Sequence, residues 1–157
     1  VSSGPITGTN SVVAIDAHPR PVDSLRIDVP ACADRLADIR HRLIDWLTPI
    51  GLSAEDIADI VLVVNEAATN CIEHAYRDVD DGVIRLSAED DGRRIFVDIT
   101  DFGVWRPPAA APDSTRGRGL PLIRAISAEV DIDASAGGTT VRMTFSPSRQ
   151  VCGNRTT

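Results

Sequence analysis

Glu66, Asn70, Glu73 and His74 fall on one side of the stretch from Ser53 to Tyr76, SAEDIADIVLVVNEAATNCIEHAY. Along it Ile57, Ile60, Val61, Val64, Ala68, Cys71 and Ala75 recur at spacings of three and four, the buried stripe of an amphipathic helix. Leu62, Val63 and Ala67 flank the polar group, so much of the helix circumference avoids water. Unpaired burial of polar groups is costly, so this stripe must find partners. It reads as the wall of a site. Glu73 falls at its solvated edge, and Cys71, on the apolar face, reads as core and not as a nucleophile.

A second candidate is Arg116-Gly117-Arg118-Gly119-Leu120, where a long loop meets a short helix. Gly-x-Gly at such a junction lets backbone N–H groups approach an anion, and the arginines add charge that suits phosphate. It is not a dinucleotide fingerprint, which needs a parallel strand before it and a βαβ context after it. Nor is it a P-loop, since Gly-Lys-Ser/Thr is absent and the chain has no lysine.

The surrounding pattern supplies the elements that position these groups. Residues 1–23 read as a tail, 24–147 as one domain and 148–157 as a second tail. Leu25, Ile27 and Val29 alternate with polar residues in a strand ended by Pro30. A helix is expected over Ala31 to Trp46, burying Leu36, Ile39 and Leu43, before Thr48-Pro49-Ile50-Gly51 breaks it. Ser53 is the expected N-cap of the next helix, with Asp56 in the position of the capping-box glutamate. Ile84, Leu86 and Ala88, then Ile95, Val97 and Ile99, alternate about an Asp90-Asp91-Gly92 turn as an antiparallel hairpin. Phe102 to Arg118 has no period, and a loop of that length is usually functional. A short helix from Gly119, a strand through Val130 and Ile132, a Gly137-Gly138 turn and a strand through Val141, Met143 and Phe145 complete the order. The class is α+β, a two-layer sandwich with helices on one face of a mixed, mostly antiparallel sheet.

Composition narrows the partners. The chain has 157 residues, 43% hydrophobic, enough for one domain with a real core. Its formal net charge of −7 argues against direct contact with a nucleic-acid backbone. Three widely spaced cysteines suit neither a disulfide framework nor a metal cluster, which points to a reducing, cytoplasmic setting. No apolar run has the length of a membrane span, so no membrane partner is expected.

Glu66, Asn70 and His74, Asp101 and Gly103 in DFGVW, the RGRGL run and Gly138-Thr139 together resemble the GHKL (Bergerat-fold) ATP-binding superfamily. The wording RGRGLPLI and the short length are most similar to its anti-sigma factor serine/threonine kinase branch, the RsbW/SpoIIAB-like proteins. The resemblance spans roughly Leu25 to Phe145. It departs in the first glycine box, Asp-x-Gly-x-Gly in the family, whose last position here is Trp105.

The resemblance implies ATP and Mg²⁺ as cofactors. Glu66 would be the base toward an attacking hydroxyl and Asn70 the Mg²⁺ ligand, one turn apart on one helical face. His74 would either support the phosphates or hydrogen-bond within the domain. Asp101 would accept the adenine amine, Gly103 would let the backbone close on the base, and Thr139 would hydrogen-bond nearby. Arg116, Gly117, Arg118, Gly119 and Leu120 would close over the phosphates. The implied partners are a sigma factor, an anti-anti-sigma (STAS-domain) protein and a second copy of the chain, with the strand at Leu25 to Val29 and the first helix as the docking or dimerising surface. Three function classes follow: a kinase of the anti-anti-sigma protein that also sequesters a sigma factor, a nucleotide-binding regulator without turnover, and the catalytic domain of a sensor histidine kinase.

Overall fold

A computed structural model describes residues 23–76, 81–103 and 119–149. Strand β1 (Asp23–Pro30) leads through a one-turn 3-10 segment into helix α1 (Leu36–Leu47), and a second such segment leads to the long helix α2 (Ala54–Ala75). Strands β2 (Val83–Asp90) and β3 (Ile95–Asp101) form the hairpin, and helix α3 (Gly119–Ile126), β4 (Glu129–Ser135) and β5 (Gly138–Phe145) follow. The sheet has five strands in the order β1-β2-β3-β5-β4, and every described pairing is antiparallel.

Alternation decides which sheet face is dry. Ile27 pairs with Leu86, Leu86 with Ile99 and Ile99 with Val141, a line of buried side chains running across the sheet. Against it pack Ile39, Leu43, Trp46 and Leu47 of α1 and Ile60, Val63, Val64, Ala67, Ala68 and Cys71 of α2. Truncating one of the fully buried leucines, Leu43 or Leu47, to Ala would cost about 2–5 kcal/mol. The other face carries the neighbouring register, in which Arg85 holds Asp28 through two bonds of 2.7 and 2.8 Å. Arg142 lies 3.7 Å from Asp98 and 3.4 Å from Asp131 on the same face. These pairs are exposed, so they keep that face wet more than they stabilise it.

Helix α2 is bounded as its sequence requires. Ser53 Oγ accepts the N–H of Asp56 at 3.0 Å and donates its own proton to the Asp56 carboxylate at 2.7 Å. Val63 and Ala67 are buried, whereas Leu62 remains 43% exposed. Helix α1 begins later than its apolar spacing suggests. Ala31 N–H is drawn to Gly82 O and Cys32 N–H to Pro30 O, so these residues serve the end of the sheet instead of a helix. Past Pro147, Arg149 bridges to Leu52 and pairs with Asp90, which ties that residue to the domain. Among the described residues no helix is long and apolar enough to cross a membrane.

Candidate nucleotide site

Two clusters meet along α2. At the first, Glu66 and Asn70 stand one turn apart, both half-buried, facing the start of α3. A Cβ built on Gly119 would lie 3.0 Å from Asn70 Nδ2 and 3.4 Å from both Asn70 Oδ1 and Glu66 Oε2. With no side chain at the first position of α3, the helix N-terminus lies close against these two side chains. Unsatisfied N–H groups at such a terminus favour an anion.

The second cluster lies at the ends of β3 and β5, where Asp101 pairs in register with Thr139. Asp101 is buried, and its Oδ1 accepts N–H groups of Gly103 and Thr139, each at 3.2 Å. Burial pushes the Asp101 carboxyl up from the ordinary carboxylate range, with the two amides opposing. Beside it, burial and then the Asp101 charge push the Cys71 thiol far up, so this cysteine is inert core. Gly103 presses against the end of α2, where a Cβ would lie 2.6 Å from Ala75 O and 2.8 Å from Ala75 Cβ. Gly138 has φ +135°, and a Cβ there would overlap the carbonyl oxygen of Asp101. Only glycine fits that conformation and that approach.

Asn70 and Cys71 are consecutive, so one turn of α2 touches both clusters. The structure therefore brings Glu66, Asn70 and Gly119 together at one end, and Asp101, Gly103 and Thr139 at the other. Leu120 is exposed on the first turn of α3. His74 is exposed in the last turn of α2, and no hydrogen bond or ion pair among the described residues ties it to either cluster. Arg116, Gly117, Arg118 and Trp105 lie outside the described residues.

Tyr76 has a place in this site that its sequence position did not announce. Its hydroxyl donates to Val83 O and accepts the N–H of Phe102, both at 2.7 Å. The available signal was an aromatic with a polar tip closing the apolar run of α2, and such a tip needs a partner when buried.

The donor chemistry fits a metal–nucleotide pair. Among the described residues no group of three or more His, Cys, Asp or Glu side chains could hold a metal ion alone. One amide oxygen, on Asn70, suits Mg²⁺ taking its remaining ligands from phosphates and water. Thr139 Oγ1 is buried without a hydrogen-bond partner, next to a carboxylate that accepts hydrogen bonds. An orphan of that kind costs about 1–3 kcal/mol and fits a polar ring edge or a bridging water.

Residues 29–145 match the histidine kinase-like ATPase domain family, and the chain belongs to it. Within that family it is 29% identical to the serine-protein kinase RsbW of Bacillus velezensis over 137 residues, covering 78% of this chain and 85% of that protein. It is 32% identical to the anti-sigma F factor of Thermoanaerobacter sp. over 101 residues, covering 57% and 70%. Among solved structures, the RsbU and RsbW domains of Rv1364c from Mycobacterium tuberculosis superpose with a TM-score of 0.67 at 30% identity over 83% of this chain. The chain spans 34% of that larger protein. The chain is thus a GHKL-type ATPase domain homologous to RsbW and anti-sigma factor kinases.

Proposed function

We propose that the protein is an ATP-dependent serine/threonine kinase that phosphorylates an anti-anti-sigma protein and sequesters a sigma factor. The observation that carries this reading is the seating of α3 at Gly119 against Glu66 and Asn70, on the turn of α2 whose Cys71 adjoins the buried Asp101. The similarity to proteins named serine-protein kinase and anti-sigma F factor supports a protein-serine substrate and a sigma-factor partner.

Each residue has a defined task. Asp101, its carboxyl group held by two backbone amides, accepts a hydrogen bond from the adenine exocyclic amine. Thr139 Oγ1 gains a hydrogen-bond partner at the ring edge. Asn70 Oδ1 would hold Mg²⁺, and the N-terminus of α3 would face the phosphates. Bound Mg·ATP supplies the phosphoryl group and its electrophilic phosphorus. Glu66 takes the proton from the attacking serine or threonine hydroxyl, a task that a purely nucleotide-binding regulator would not need.

Incubation with γ-labelled ATP and an anti-anti-sigma protein tests the reading. Label on serine or threonine is expected. Label on histidine would instead favour a sensor-kinase reaction, and tight nucleotide binding without transfer would favour a regulator. Sequestration is checked separately by light scattering and by sigma-factor pull-down, where a homodimer retaining the factor is expected.

A further inference from the structure

We infer that Tyr76 is a positioning residue for the nucleotide site, its phenol standing in for the next rung of the β2–β3 ladder. The inference rests on the nucleotide reading above and names a residue that sets the geometry of the base-binding end.

The last regular pair of that ladder is Ile84 with Asp101, so the register carried one step further would place Val83 opposite Phe102. There the Val83 carbonyl and the Phe102 N–H are bridged by the Tyr76 hydroxyl, which donates to the first and accepts from the second, each at 2.7 Å. A phenol between two backbone groups holds the strands farther apart than a direct bond would. Strand β3 ends at Asp101, immediately before this bridge, and the chain crosses toward the end of α2. Gly103 then presses on Ala75, the residue preceding Tyr76. Residues 75–76 and 101–103 are thereby interlocked at two points, one a hydrogen bond and one a backbone contact.

Gly82 completes the seat, because a Cβ there would overlap the Tyr76 ring. Its carbonyl accepts the Ala31 N–H, so the turn before β2 is itself anchored to β1. The hydroxyl has both its donor and its acceptor role filled by backbone, which goes beyond what burial of a ring requires. What it fixes is the position of the Asp101-Phe102-Gly103 segment relative to α2, and with it the distance between the base-binding and phosphate-binding clusters.

The test is Tyr76→Phe in the full chain, which keeps the ring in place, with Gly82→Ala as a second variant that displaces the ring. Amide hydrogen exchange is followed at Phe102, with Ile99 and Leu86 as references, and Mg·ATP and Mg·GTP are titrated by calorimetry. In Y76F the Phe102 amide should exchange at least tenfold faster while the reference amides keep their protection. The Kd for Mg·ATP should rise about tenfold, as expected for loss of a net hydrogen bond, and the preference for ATP over GTP should narrow. G82A should shift the same readouts in the same direction. A uniform loss of protection across β2 and β3, or a Y76F that binds Mg·ATP as the wild type does, would overturn the inference. A wild type that binds neither nucleotide would overturn the nucleotide reading itself, a distinguishable outcome.

Discussion

Asp101 Oδ1 accepts the backbone N–H of Thr139 at 3.2 Å, so a candidate adenine acceptor on β3 is oriented by its register partner on β5. The carboxyl is buried and its pKa is raised by that burial. A carboxyl raised in the fold contributes fully to stability below its unfolded pKa, near 3.8, and loses that contribution as pH rises through the folded value. Asp101→Asn keeps an oxygen for both amides but does not titrate there. Urea unfolding as a function of pH should therefore show D101N gaining on the wild type as pH rises from about 4, then levelling. Its affinity for Mg·ATP should fall at least tenfold. A stability difference independent of pH would contradict the account.

Gly138 guards the same contact from the other strand. At φ +135°, with the Asp101 carbonyl where a Cβ would stand, Gly138→Ala should destabilise by roughly 3 kcal/mol or more. Gly137→Ala is the control, because a Cβ there meets only Ser135 Oγ at 3.9 Å. Thermal unfolding of the two variants should separate them clearly, and similar losses would argue against the close approach as the cause.

Glu66 should separate binding from chemistry. Glu66→Gln keeps the size and most hydrogen bonds of the side chain, so nucleotide affinity should hold. Phosphotransfer to the protein substrate should drop roughly 10²-fold or more. Parallel loss of affinity and turnover would assign Glu66 a structural role.

Much of the fold was legible because its signals are local. The spacing of three and four in α2 and the alternation in β2, β3 and β5 mark the buried face of each element directly, and Ser53 announces its helix. The strand order β1-β2-β3-β5-β4 depends on pairing between segments distant in sequence, which alternation does not encode. The same limit explains the delayed start of α1, set by a bond from Ala31 to Gly82, and the ion pair of Arg149 with Asp90. At the candidate site, Glu66 and Asn70 stand out by residue type and helical spacing, and Asp101 through the family resemblance. Tyr76 does not, because both of its hydrogen-bond partners are backbone atoms. That Gly119 abuts Asn70 could be read only after α3 was seen against α2.

The reading of Arg116 and Arg118 as phosphate contacts lies outside the described residues and carries its own test. Tryptic cleavage after either arginine should slow when Mg·ATP is added. Cleavage indifferent to nucleotide would remove both from the site.

The central claim, a magnesium–nucleotide site built on α2, is tested most directly by titrating Mg·ATP into the wild type and Asn70→Ala by calorimetry. Alanine is the better helix former, so circular dichroism should be unchanged in the variant. The wild type should bind Mg·ATP, and N70A should bind it at least tenfold more weakly, with the difference vanishing when EDTA replaces the metal. Equal Mg·ATP affinities in two equally folded proteins would contradict the account.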